Sequence, residues 1–294
     1  MMKFNISLKD VIFVTLTLLI FFFSTLILAP FTCAESPCWN DGTIRTVNVI
    51  GSKVDKDGQA NFRKPGTKEV DDPVNVASGN YSYEATDLTI PSVGIPLELK
   101  RIYNSQDAYE GPLGIGTSHN YNLYLVEAED QGIYYKIIRR PQGRKDRFIE
   151  VSPNTYTSPE AVFDTLFKDD QGYYLQTKDK TIYRFNNKGR LSTITDRNLN
   201  QQTLTYDTKG KLIQITDSFN RWLNLTYTDK NKVSQLTDQN NRTYNYTYDN
   251  KNLITVTIPS TTEHPNGLTT TYTYNDFHKL ISITDPKQQT YLTI

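Results

Sequence analysis

The sequence is poor in the residue types that most often carry chemistry. Its 294 residues include three His, two Cys and two Trp. His119, His264 and His278 are scattered, and neither they nor Cys33 and Cys38 show metal-ligand spacing, so no metal or other cofactor is expected. His119, in GTSHNY, has no visible nucleophile or orienting partner and reads as a structural residue. No phosphate loop is present. The stretch GPLGIG, Gly111 to Gly116, lacks the following Lys and the strand-to-helix context, and reads as a turn. The chain has no excess charge, with 32 basic against 32 acidic residues, which argues against a general nucleic-acid binder. The only basic cluster, RRPQGRKDR from Arg139 to Arg147, reads as a solvated hairpin tip, with an anionic ligand as the alternative. Long helical periodicity is missing too. A single short helical turn is expected at AVFDTLF, Ala161 to Phe167.

One long apolar run exists, Val11 to Leu28, preceded by Lys3 and Lys9 and followed by APFTCAES. That is the order of a secretory signal peptide, with cleavage before Glu35. An uncleaved N-terminal membrane anchor is the alternative, because the run approaches the ~20 residues that span a bilayer. Export is expected either way, to a secreted or cell-surface location. Cleavage would leave Cys38 alone; otherwise Cys33 and Cys38 are close enough to pair.

What the sequence has in abundance is Tyr, with 20 copies, together with Thr and turn-forming Asn, Asp, Gly and Lys. From about residue 173 these fall into a repeat. TYDTKGKLIQITD, Thr205 to Asp217, recurs 21 residues earlier as RFNNKGRLSTITD and 21 later as TYTDKNKVSQLTD. The aromatic column is Phe185, Tyr206, Tyr227, Tyr248 and Tyr274; the last step is 26 residues, the surplus falling at the loop IPSTTEHPNG. The Asp column is Asp196, Asp217, Asp238 and Asp285, and each Asp lies eleven residues after its aromatic. Such a period marks a repeat architecture. Each unit is expected to be one hairpin. Leu204 and Tyr206 share a face opposite Thr203 and Thr205. The turn place is held by Gly189, Gly210, Asn231, Asn252 and His278, and Gly and Asn tolerate a left-handed backbone. On the return strand Leu212 and Ile215 are three apart, which predicts a bulge or bend between them. Asp196, Asp217, Asp238 and Asp285 read as turn punctuation rather than catalytic groups.

These residues resemble the YD repeats of the RHS and wall-associated protein family: YDTKGKLIQITD, YNDFHKLISITD and, less strictly, YTDKNKVSQLTD. Upstream, Asp72 to Leu125 is similar to the domain of unknown function that opens many bacterial RHS proteins, on the words DPVNVASGN, TDL, GIPLEL, RIYNS, GPLG and HNY. Thr117 departs from it, standing where that domain commonly has Trp. The resemblance implies an all-β chain: residues 1–34 signal peptide or anchor, 35–70 a lead-in, 71–127 an N-terminal β domain, 128–172 a β connecting region, and 173–294 about five YD hairpins in a curved, incomplete sheet. In the family such arrays form a hollow shell around a C-terminal toxin or other cargo, and serve contact-dependent competition, insecticidal toxin complexes and surface adhesion. No closing core segment, self-cleaving aspartate motif or toxin domain is visible here. The chain therefore reads as a non-enzymatic shell segment, with a further RHS chain or a C-terminal continuation as partner. Alternatives are a fragment of a longer toxin, or a surface adhesin that binds cell-surface carbohydrate by stacking on Tyr206, Trp222, Tyr227, Tyr246 and Tyr248.

Overall fold

Thr, Tyr and β-branched residues between turn signals leave the backbone one economical solution, the antiparallel hairpin. The computed structural model describes residues 47–48, 74–75 and 79–293, and among these every regular element is a strand. The signal or anchor segment, most of the lead-in and both Cys lie outside the described residues. A long meander starts at Tyr124–Asp130 and ends at Thr290–Thr293, each strand antiparallel to the one before it. Val47–Asn48 adds a short parallel pairing to Ala128 and Glu129 at its first strand. The sheet is open. Its first strand also touches a later turn, through a bridge between Tyr124 and Arg190 and a bond from the Leu125 N–H to the Gly189 carbonyl at 2.8 Å. Ahead of the meander lies a smaller sheet of Val74–Asn75, Asn80–Ile90, Leu97–Asn104 and Thr117–His119, with a two-stranded hairpin of Glu110–Gly111 and Gly114–Ile115.

The repeat explains itself in the hairpin Gln201–Tyr206/Leu212–Asp217. Thr205 pairs with Gln214, but Tyr206 pairs with Leu212, so Ile213 is one residue too many on the return strand. That bulge resets the alternation, and Leu212 and Ile215 both point into the core at 5% and 0% exposure. The same shift recurs before Phe185, Tyr227, Tyr248 and Tyr274. The i, i+3 spacing is therefore a bulge, as expected.

Outside the fourth unit, both ends of each hairpin use one turn. At the aromatic end the Asp207 N–H donates to the Lys211 carbonyl, and Gly210, the fourth residue, has φ +82°. At the other end the Asp217 N–H donates to the Arg221 carbonyl, and Asn220, again the fourth, has φ +60°. Gly189, Asn231 and His278 hold the expected left-handed place. Asn252 does not. The fourth unit has one residue fewer between its Tyr and its first aliphatic, so Asn250 takes φ +54° and Asn252 becomes a strand residue paired with Asp249.

The expected helical turn at Ala161 to Phe167 is absent. Ala161 has φ +60°, which ends any helix, and Thr165–Asp169 is a strand paired with Gly172–Gln176. A short apolar run is compatible with either element, and here the neighbouring strand decides.

The core is one continuous layer between the meander and the block 79–125. The block contributes Leu97, Leu99, Leu113 and Leu123; each hairpin contributes its aliphatic pair.

Candidate functional site

The most elaborate chemistry lies where the block 79–125 meets the inner face of the repeats. Arg101 follows Leu97 and Leu99 on the inward face of its strand, and Asp87 is the extra residue of a bulge between Thr86 and Leu88 on the adjacent strand, which turns both Asp87 and Leu88 to this face. The Arg101 guanidinium donates through Nε to both Asp87 oxygens, at 2.9 and 2.8 Å, and through an Nη to the Tyr272 hydroxyl at 3.0 Å. Its planar cation also lies 5.4 Å from the Tyr272 ring centre. The Tyr246 hydroxyl donates to Asp87 at 2.7 Å. All of this is out of water. Burial pushes the Asp87 carboxyl up, against the opposing pull of Arg101 and Tyr246. Burial alone would lower Arg101, but the Asp87 charge outweighs it and holds the guanidinium above its ordinary range. Burial raises Tyr272 to about 12. The set is an ion pair clamped by two repeat tyrosines, and it fixes the block in register on the fourth and fifth hairpins.

Other contacts extend the seam across all the repeats. Lys232 Nζ donates to Glu110 at 2.9 Å and to the Gly111 carbonyl at 3.0 Å, and Lys251 completes the bridge to Glu110 at 3.2 Å. Burial lowers the Lys232 ammonium, and Glu110 counters it. The Val233 N–H donates to the Pro112 carbonyl, and the Ile115 N–H to the Lys251 carbonyl. Gly114, at φ +105°, makes that approach possible: a Cβ there would lie 2.6 Å from the Lys251 carbonyl oxygen. The Leu280 N–H donates to the Tyr103 hydroxyl at 2.9 Å. Gln202 reaches the Pro96 carbonyl at 2.9 Å and Arg221 the Pro91 carbonyl at 2.7 Å.

The aromatic column forms a ladder. The Tyr206 hydroxyl donates to the Leu191 carbonyl at 2.7 Å, Tyr227 to Leu212 at 2.8 Å, and Tyr248 to Val233 at 2.7 Å. Each acceptor is the first aliphatic of the preceding hairpin, at its bulge. Burial raises all three phenols well above their usual range. Tyr206, Tyr227 and Tyr248 are half-buried against the core, and Tyr246 is 3% exposed, so the structure places these four rings at the covered inner face. Trp222 is separate: it stands on the opposite face, half-exposed.

The Asp column caps turns. Asp217 accepts from the Phe219 and Arg221 N–H groups at 2.9 and 3.0 Å, and from the Arg221 side chain. Asp238 repeats this with Asn240 and Arg242, Asp196 with Asn198 and Asn200, and Asp285 accepts from the Gln289 N–H. Burial works to raise the Asp217 carboxyl, but these hydrogen bonds hold it below its ordinary value. Gly189 and Gly210 occupy the opposite turns.

His119 is buried at 3% exposure, its Nδ1 has no hydrogen-bond partner, and burial lowers it to about 4. It stands across from Arg101 in the small sheet. The basic cluster is not a solvated tip. Arg139 pairs with Asp107, Arg140 with Asp146 and Asp164, and Arg144 with Asp146, which is fully buried. Acids from the loops on either side neutralise it. GPLGIG is the expected turn, between the two strands of the small hairpin. Among the described residues no three His, Cys, Asp or Glu gather as a metal site, and no helix is long and apolar enough to cross a membrane. Asp87 and Arg101 lie in the words TDL and RIYNS of the opening domain, but nothing in the sequence joined them to each other or to Tyr246 and Tyr272, because the members of the set lie up to 185 positions apart.

Residues 71–148 match the model of a domain of unknown function, DUF6531, and residues 181–293 match the Teneurin YD-shell model. The tRNA nuclease WapA of Bacillus subtilis strain 168 is 30% identical over 135 residues, which is 46% of this chain and 6% of that protein. The tRNA3(Ser)-specific nuclease WapA of Bacillus spizizenii is 29% identical over the same share. The chain thus spans a small fraction of the length of these relatives. Among solved structures, TcdB2-TccC3 without its hypervariable C-terminal region is 16% identical, with 67% of this chain and 11% of that chain covered and a TM-score of 0.31. The Photorhabdus luminescens Tc holotoxin pore is 17% identical, with 72% and 10% covered and a TM-score of 0.29. The opening-domain match, followed in sequence by the YD-shell match over the hairpins just described, places this chain in the RHS/YD-repeat family.

Proposed function

We propose that this chain is the opening, non-enzymatic wall segment of an exported toxin-type shell. One observation carries the reading: the apolar inner face of the hairpins is covered by the chain's own block 79–125, locked down by the buried Asp87–Arg101 pair and its two tyrosines. A wall built this way needs no catalytic group of its own. Its work is to present a sealed inner face and an outer edge at Thr290–Thr293, where a further RHS chain or a continuation of the same chain adds the next strand. Toxin delivery or contact-dependent competition at the cell surface is the setting this fits.

The test is limited thermolysin proteolysis of the full chain, followed by size-exclusion chromatography and incubation with tRNA. Cutting is expected in the exposed loop 258–268, with the pieces still eluting together and the tRNA intact. Early loss of the block 79–125 from a surviving sheet would refute the wall reading, and tRNA cleavage would refute the non-enzymatic one.

A further inference from the structure

The turns at the Asp end of the hairpins form one rim of the sheet. Five of them share a design: the first N–H donates to the fifth carbonyl, and the fourth residue has a left-handed backbone. That fourth place holds Lys180, Leu199, Asn220, Asn241 and Gln288. Leu199 breaks the pattern, an apolar side chain at φ +67° and 81% exposed. Neither the backbone nor the water around it favours Leu there. Phe219 breaks it again, 54% exposed at the third place, where the turns on either side have Asn198 and Asn240. The two turns adjoin, with the Gln201 N–H donating to the Ser218 hydroxyl at 2.7 Å. The loop 91–95 of the block crosses the same rim, its Pro91 carbonyl held by Arg221, and presents Val93 at 75% exposure. Phe163, also 75% exposed, stands beside the turn 177–181, its ring centre 5.5 Å from Lys178 Nζ. Among the described residues four large apolar side chains are at least 75% exposed, and three of them are on this rim.

We propose that this rim docks on a lipid surface, with Val93, Phe163, Leu199 and Phe219 entering the boundary between headgroups and acyl chains. Wholly covered, the four side chains would bury roughly 500 Å², short of the ~800 Å² that each partner gives to a stable protein interface. They stand on four separate loop tips rather than in one groove, which suits a yielding partner. Lys178 and Arg197, both exposed beside the tips, are placed to meet lipid phosphates as the apolar groups enter. Each turn also holds an acid, Asp179, Asp196 or Asp217, bonded back onto its own turn. The rim is therefore close to neutral, and the contact rests on the apolar tips rather than on an anionic lipid. The inference is independent of the wall reading, which concerns the covered inner face.

The test uses the full chain carrying Val93→Trp, added to phosphatidylcholine vesicles with brominated acyl chains, which quench a nearby indole. The apolar run from Val11 to Leu28 has its own affinity for lipid, so the readout is local: quenching beyond that of the parent, which has Trp39 and Trp222. At least half of the added emission should be quenched, with a blue shift, and the quenching should change less than twofold between about 0.1 and 0.5 M salt. Leu199→Asn and Phe219→Asn, placed in that chain, copy the Asn of the neighbouring turns, and each should cut the quenching at least twofold. Asn tolerates the left-handed backbone, so the urea midpoint of Leu199→Asn should equal or exceed that of the parent. If Val93→Trp does not fold, Phe163→Trp carries the same readout. No quenching beyond the parent, quenching undiminished by both Asn substitutions, or quenching confined to phosphatidylglycerol vesicles and abolished by salt would overturn the proposal. So would a clearly lowered Leu199→Asn midpoint, which would make Leu199 a structural residue. A blue shift complete before lipid is added, in a chain that sediments as a dimer, would assign the rim to a second copy and overturn it as well.

Discussion

Removing a single oxygen atom tests whether the aromatic column acts as a ladder of hydrogen bonds or only as apolar filling. In Tyr227→Phe the ring keeps its place against the core, and only the bond to the Leu212 carbonyl is lost. That carbonyl sits at a bulge, where the regular strand pairing is interrupted, so it has no ready substitute donor. A buried acceptor left without a partner costs about 1–3 kcal/mol. We expect about 1.5 kcal/mol for Tyr227→Phe and similar losses for Tyr206→Phe and Tyr248→Phe. The three sites are adjacent rungs, so the triple variant should deviate from the sum by about 0.5 kcal/mol or more. Urea unfolding of the full chain, followed by circular dichroism, reads the first quantity, and hydrogen exchange on Leu212–Asp217 localises it. The same geometry predicts a pH dependence. These phenols titrate well above their ordinary value in the folded chain, so the stability they contribute is complete below about pH 10 and declines as the pH rises beyond it. A Tyr227→Phe midpoint indistinguishable from the parent, with an unchanged alkaline limb, would show that the hydroxyls contribute nothing and that the ladder argument is wrong.

His119 is neutral when folded and titrates at about 4 rather than its ordinary 6.5. The unfolded chain takes up a proton that the folded one refuses, so stability should fall between pH 6.5 and 4 by up to about 3 kcal/mol, and His119→Leu should remove that part of the slope in parallel unfolding curves. Arg101→Met leaves Asp87 buried without its cation and should cost about 3–5 kcal/mol, whereas the double variant Asp87→Leu/Arg101→Met should recover most of the loss; a thermal-unfolding double-mutant cycle measures the coupling.

The sequence shows some of these features plainly and hides others, and the difference is physical. Whatever recurs is visible: the aromatic column, the bulge behind the i, i+3 spacing, the Gly, Asn and His at left-handed turns, and the Asp at the opposite ends. Repetition separates those residues from background because each copy answers the same local geometry. Features that occur once leave no such mark. Asp87 and Arg101 stand in the words TDL and RIYNS, but neither word names the other as its partner, and Tyr246 sits two residues from Tyr248 in the same strand, yet one bonds the block and the other the neighbouring hairpin. The basic cluster from Arg139 to Arg147 looks solvated only because Asp107 and Asp164, which neutralise it, are remote in sequence. Trp222 and the four repeat tyrosines look equivalent as stacking surfaces, and strand parity alone sends them to opposite faces.

The ends of the ladder show why the repeat changes where it does. Its first place holds Phe185, which has no hydroxyl. The hairpin before it, Thr165–Asp169/Gly172–Gln176, is regular and has no bulge, so it offers no carbonyl of the kind the later rungs use. A Tyr there would bury a donor with nothing to receive it, and Phe185 is 1% exposed. Its last place holds Tyr274, which follows the enlarged loop. There the hairpin Glu110–Gly111/Gly114–Ile115 of the block has already come down on the preceding turn, through the bond from Ile115 to the Lys251 carbonyl. Tyr274 therefore meets the Tyr103 ring of the block edge-on, with ring centres 6.5 Å apart, instead of bonding to a bulge. Within the column, then, each Tyr ties its hairpin to the one before, and the exceptions fall where a hairpin has no bulge or where the block supplies the partner. The Tyr of the YD motif is thus accounted for by the bulge one hairpin upstream, and its Asp by the turn that follows it.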